Sequence, residues 1–107
     1  MRTTPLKIDL HVHTCYSGDA ATTLEEVVKY AKRRGLDGIA VTDHGTVAGA
    51  LELLKNDDLL VIPGIEIETS CGHILGLNVT QTIPQGLGAS ETIERIHESG
   101  GLAVVAH

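Results

Sequence analysis

The sequence predicts an α/β fold built on a mostly parallel sheet, and three observations predict it. Short apolar runs alternate along the chain with stretches of helical period, the pattern of consecutive βαβ units. At 107 residues the chain suffices for one small domain, with no linker, repeat or low-complexity segment dividing it. Several apolar runs also finish on His, Asp or Glu, so the unusual polar groups gather at one end of the strands.

The elements follow in order. LKIDLHV (6–12) reads as the first strand. TLEEVVKYAKRRG (23–35) reads as an amphipathic helix, with Leu24, Val27, Val28 and Ala31 at helical spacing. Thr22 or Thr23 caps its start and Gly35 ends it. DGIAVTD (37–43) is a short buried strand, and TVAGALELLKN (46–56) a second helix weakened by Gly49. LLVIPGIEIET (59–69) and HILGLNV (73–79) are strands joined through SCG in a hairpin-like turn. QGLGAS (85–90) lacks the GK[ST] ending of a phosphate loop and reads as a flexible connection. ASETIERIHES (89–99) is a third helix with Ser90 as its expected cap, and GLAVVAH (101–107) is the last strand.

Composition narrows the function classes. The chain is 42% hydrophobic and 21% charged, ordinary for a soluble globular protein. With no Phe or Trp and only Tyr16 and Tyr30, the core must come from Leu, Ile, Val and Ala. A formal net charge of -6 argues against an extended nucleic-acid surface, though bound cations reverse a local field. No run approaches the ~18 apolar residues of a membrane span. No apolar segment follows Arg2 and Lys7 as in a signal peptide, and two cysteines make no disulfide framework, so a cytoplasmic setting is expected.

The chemistry is concentrated at the strand ends. His11 and His13, two apart on a strand, aim two imidazoles at one point. Asp43 and His44 end the second strand, Glu66 and Glu68 lie near the end of the third, and His107 ends the last. Right-handed crossovers bring such strand ends to one edge, where sites of open α/β sheets and barrels occur. Candidate metal ligands are His11, His13, Asp19, His44, Glu66, His73 and His107. Imidazole with carboxylate suits zinc, manganese or iron. One tetrahedral ion needs about four ligands, so this set suggests more than one, with Glu66 able to bridge. Glu66 is flanked by Ile65 and Ile67, and a carboxylate facing an interior there wants a cation. Two ions sharing a hydroxide are the machinery for hydrolysing a phosphate ester. His97, amid Glu94, Arg95 and Glu98, reads instead as a surface histidine. Cys15 and Cys71 read as small loop residues, and Arg33 and Arg34 as surface residues.

The motifs "DLHVHT", "TDHGT", "GIEIET", "GHILGL" and the terminal "VVAH" resemble, in order, those of the PHP (polymerase and histidinol phosphatase) family. "DLHVHTCYSGDA" followed by "GLDGIAVTDHGT" is especially similar to its stand-alone metal-dependent phosphoesterases. The resemblance implies a partial distorted (β/α)7 barrel, with four to five mostly parallel strands and three helices here, holding two or three divalent ions. It implies that His11 and His13 hold a first ion with Glu66, that Glu66 bridges to a second completed by His73 and His107, and that Asp19 and His44 hold a third. It leaves Asp43 to support a ligand or manage protons, Asp9 to orient an imidazole, and Glu68 solvated or behind the ligands. The family's late Asp-x-His pair has no counterpart in this chain, so the first and third ions each lack a ligand and the chain resembles the N-terminal half of a barrel.

Residues 1–107 are therefore expected to be a PHP-like phosphoesterase domain. It would hydrolyse phosphomonoesters or phosphodiesters, nucleotides among them, by a metal-activated hydroxide. An unclosed half exposes a sheet edge, so a homo-oligomer through that edge is an expected partner, with no membrane involved. Two other readings share the same residues: a non-catalytic metal-binding or interaction module with an incomplete site, and a polymerase-associated exonuclease domain.

Overall fold

A computed structural model describes residues 5–18, 20–56 and 58–106. The predicted elements form in the predicted order: β1 (Ile8–Val12), α1 (Leu24–Arg33), β2 (Gly38–Val41), α2 (Ala48–Leu53), β3 (Leu60–Thr69), β4 (Gly72–Leu77), α3 (Ala89–Glu98) and β5 (Leu102–Val105). The five strands lie in one sheet in chain order. β1 pairs with β2 and β2 with β3 in parallel, whereas β4 pairs antiparallel with both β3 and β5. Only β4 is reversed, so the expected parallel bias holds for strand direction but not for the pairings. The cause is local: Thr69 pairs with Gly72 across Ser70 and Cys71, and so short a link allows only a hairpin.

Helix boundaries follow backbone chemistry. Thr23 caps α1, its hydroxyl accepting the Glu26 N–H while the Glu26 carboxylate accepts the Thr23 N–H, a capping box. Those bonds to Thr23 hold the Glu26 carboxyl below its usual value. At the other end the Gly35 N–H donates to the Lys32 carbonyl and the Leu36 N–H to that of Ala31. Gly35 takes the left-handed φ of 68° this closure needs. α3 departs from expectation. Its N-cap is Gly88 rather than Ser90, and Ser90 stands inside the first turn. Among the described residues no side chain caps its first N–H groups, and the Thr92 hydroxyl donates back to the Gly88 carbonyl within the first turn.

Period-two alternation sorts the strand residues between two faces. Ile39, Val41 and Val61 pack with Val27 and Ala31 of α1 and Leu53 of α2. Ile65, Ile67 and Ile74 pack with Ile96 of α3 and with Val79. The intervening residues Ala40, Ile62, Leu75 and Leu77 meet on the opposite, helix-free face, together with Ala106. Leu60, Leu102 and Val104 extend that face and are exposed, as in a barrel wall seen from inside. Glu66 shares the parity of Ile62, so β3 presents it on this same face.

Candidate metal centre

Glu66 is the hub. It is fully buried, and three imidazoles close on its carboxylate. His11 Nε2 lies 2.6 Å and His13 Nε2 2.7 Å from Oε1. His73 Nδ1 lies 2.7 Å from Oε2, with His44 Nδ1 3.9 Å from that same oxygen. The rings form a continuous series, His11 to His13 at 5.0 Å between centroids, His13 to His44 at 4.5 Å and His44 to His73 at 5.7 Å.

Each side chain arrives for a reason legible in the backbone. β1 carries an irregularity between Asp9 and Val12, where the register against β2 shifts. Such a bulge re-aims side chains at a strand end. Val12 stays in the helix-facing core while His11 and His13 turn to Glu66. The bulge also breaks the parity between Asp9 and His11. Asp9 was expected behind an imidazole, but its carboxylate accepts from the His11 backbone N–H at 3.0 Å and from the Tyr30 hydroxyl at 3.4 Å. His44 follows β2 and runs alongside β3 as an isolated parallel bridge to Glu66. The Glu66 N–H donates to the Asp43 carbonyl and the Gly45 N–H to that of Glu66. His73 faces Glu68 across the β3–β4 ladder, placing it diagonally from Glu66 on the same face.

The electrostatics favour an ionised hub. Burial pushes the Glu66 carboxyl up, but hydrogen bonds from His11, His73 and His13 and the nearby charge of His44 together outweigh it. The result is a value lowered to about 2. An ionised carboxylate only accepts, so each bonded imidazole donates an N–H to it. The same ring nitrogens, once deprotonated, are lone-pair donors to a cation.

The donor set fits divalent cations. Ligand atoms of His11, His13 and Glu66 lie within 4.8 Å of one another, and so do those of His44, Glu66 and His73. Mixed imidazole and carboxylate donors suit zinc, manganese or iron rather than calcium. Asp19 and His107 lie outside the described residues. Among the described residues His44 is gathered with His73 at the second oxygen of Glu66; its expected pairing with Asp19 falls on a residue outside them. Glu68 is exposed and meets the loop before α3, its N–H donating to Gln85 Oε1. His97 is exposed on α3, as a surface histidine should be.

Asp43, expected to support a ligand or manage protons, is fully buried, and both its carboxylate oxygens are engaged by Thr14. Thr14 and Ser17 are the residues sequence reasoning missed. Both are fully buried, and the Ser17 hydroxyl accepts the His44 backbone N–H at 3.0 Å. Their signal in the sequence was only their closeness to the HVH stretch.

Comparison with known proteins agrees with this geometry. The family model described as the PHP domain matches residues 9–98. Uncharacterized protein MJ1587 of Methanocaldococcus jannaschii is 41% identical over 115 residues, covering 95% of this chain and 67% of that protein. The phosphoribosyl 1,2-cyclic phosphate 1,2-diphosphodiesterase of Eggerthella lenta is 39% identical over 100 residues, covering 83% of this chain and 37% of the enzyme. Among solved structures, a Bifidobacterium adolescentis protein assigned as a metal-dependent phosphoesterase superposes with a TM-score of 0.59 at 32% identity, over 69% of this chain and 28% of that one. The chain thus spans well under half the length of the enzyme and of the solved structure.

Proposed function

The chain belongs to the PHP domain family, and from that premise we propose that it is the metal-bearing portion of a phosphoesterase. It supplies His11, His13, His44, Glu66 and His73 as ligands, with Asp19 and His107 joining them, for two or three zinc, manganese or iron ions. Residues 1–107 then act as one PHP-type unit on phosphomonoesters or phosphodiesters, small phosphorylated molecules and nucleotides being the substrate class.

The observation that carries this reading is the division of Glu66. One carboxylate oxygen faces His11 and His13, the other His73 and His44. A carboxylate with imidazoles at both of its oxygens could hold two cations close together. Bound cations supply positive charge that acidifies water and offsets charge developing on phosphoryl oxygens. The chain's own part is orientation. Its imidazole partners hold Glu66 ionised against the opposing effect of its burial. The side-chain exposures of 40% for His11, 29% for His73 and 31% for His44 keep the imidazoles open to an incoming phosphate.

The test is hydrolysis of an aryl phosphate by metal-loaded protein, with bound metal counted by elemental analysis. His11→Ala and Glu66→Ala are each expected to lower the rate at least about a hundredfold, since even changes behind a ligand reach that range. Unchanged activity in either variant sinks the proposal. Metal uptake with no hydrolysis of any phosphate ester leaves a metal-binding module instead.

A further inference from the structure

The last backbone bond between β1 and β2 runs from the Thr42 N–H to the Val12 carbonyl at 2.8 Å. Beyond it the two segments carrying His13 and His44 leave the ladder, yet their rings sit 4.5 Å apart. The β1–β2 ladder no longer ties these two segments to each other. Thr14 directly follows His13, and Asp43 directly precedes His44. Asp43 Oδ1 accepts the Thr14 N–H at 2.5 Å and Oδ2 accepts the Thr14 hydroxyl at 2.7 Å. The Thr14 oxygen in turn accepts the Tyr16 N–H at 3.1 Å. A carboxylate buried this completely persists only when both oxygens are satisfied.

Gly49 of α2 closes over the pair. A Cβ there would stand 2.6 Å from Asp43 Oδ2 and 2.6 Å from Thr14 Oγ1, and 3.1 Å from the Tyr16 ring. The glycine that weakens α2 as a helix is the residue that lets α2 seat against this pair. The Ser17 hydroxyl, accepting the His44 N–H, adds a second tie between the same two segments.

We infer that Asp43, Thr14 and Gly49 form a clasp that positions His13 against His44, fixing the spacing between the two halves of the centre. This rests on the proposal that the centre holds cations, and Asp43 here is a positioning residue that touches neither cation nor substrate. The clasp makes the two ligand groups one rigid unit, because each half is anchored to a different strand end.

The experiment titrates Co2+ into the full chain and follows the visible absorption, beside NMR of the chelator-treated protein. Thr14→Val removes the hydroxyl at constant shape, Thr14→Ser restores it, and Gly49→Ala intrudes on the pair. Thr14→Val and Gly49→Ala are expected to weaken Co2+ binding by about 10–100-fold and to change its spectrum. Both lose the ring-to-ring contact of His13 and His44 in the metal-free protein, and Thr14→Ser regains it. Should Gly49→Ala unfold, the Val and Ser pair at residue 14 still decides. Thr14→Val with wild-type Co2+ affinity and an intact ring contact overturns the clasp. Wild-type protein that takes up no Co2+ refutes the metal proposal alone, since the ring contact judges the clasp without any cation.

Discussion

The two sides of Glu66 are built differently. On the first, His11 and His13 come from one short stretch of chain and both lie within hydrogen-bond distance of Oε1, at 2.6 and 2.7 Å. On the second, His44 and His73 come from separate elements, and they stand 3.9 and 2.7 Å from Oε2. The first side is held by a single bulged strand end. The second depends on a parallel bridge between the loop after β2 and β3, and on the antiparallel register of β3 with β4. A local pair is tight because few degrees of freedom separate its members. A pair assembled over long range inherits the tolerance of every contact between.

The largest expected effect separates the sides directly. His13→Ala removes a tightly held donor from the first side, and His73→Ala removes the imidazole bonded at 2.7 Å on the second. Each is expected to abolish cation binding on its own side, a loss of at least about a hundredfold in affinity, judged against the range for outer changes. The other side should stay measurable by calorimetric titration. Loss of both sides in either variant means the centre is one indivisible site, and the comparison breaks.

Acid is the next lever, and it acts on both sides through their shared carboxylate. The folded Glu66 carboxyl is lowered from 4.5 to about 2. A depressed carboxyl contributes stability that is complete above its unfolded value and fades as the pH falls through its folded value. In chelator-treated protein the stability advantage of wild type over Glu66→Gln should therefore shrink between pH about 4.5 and about 2. Denaturant melts across that window measure it, and an advantage that grows on acidification would contradict the ionised hub.

The smallest expected effect is a control at the start of α1. Thr23→Ala removes the cap of α1 and should cost about 1 kcal/mol of folding stability. Co2+ titration should register no difference on either side of Glu66. A shift there would tie α1 to the centre and blur the division.

Much of this was legible in the chain because it is local. Hydrophobic period and punctuation marked each strand and helix, down to Thr23 and Gly35 at the ends of α1. The HVH stretch and the apolar setting of Glu66 marked candidate ligands, since an imidazole pair and a flanked carboxylate carry their chemistry in their immediate neighbours. The misreadings arose where one extra residue or one long-range contact intervenes. The bulge in β1 turned Asp9 toward Tyr30 and the His11 backbone. For Asp43 the chain left two roles open, supporting a ligand or managing protons, because the enclosing Thr14 and Gly49 meet it only in the fold.

The sequence by itself determined the order of strands and helices and the residue types available at the strand ends. Propensity, period and donor chemistry are properties of neighbours along the chain, so no folding was needed to read them. Only the tertiary structure decided that Oε1 of Glu66 faces His11 and His13 while Oε2 faces His73 and His44. That division is set by strand register and by a buried clasp between segments nearly thirty residues apart, Thr14 and Asp43 lying 29 positions from each other. Distances of this kind exist only after the chain has closed on itself.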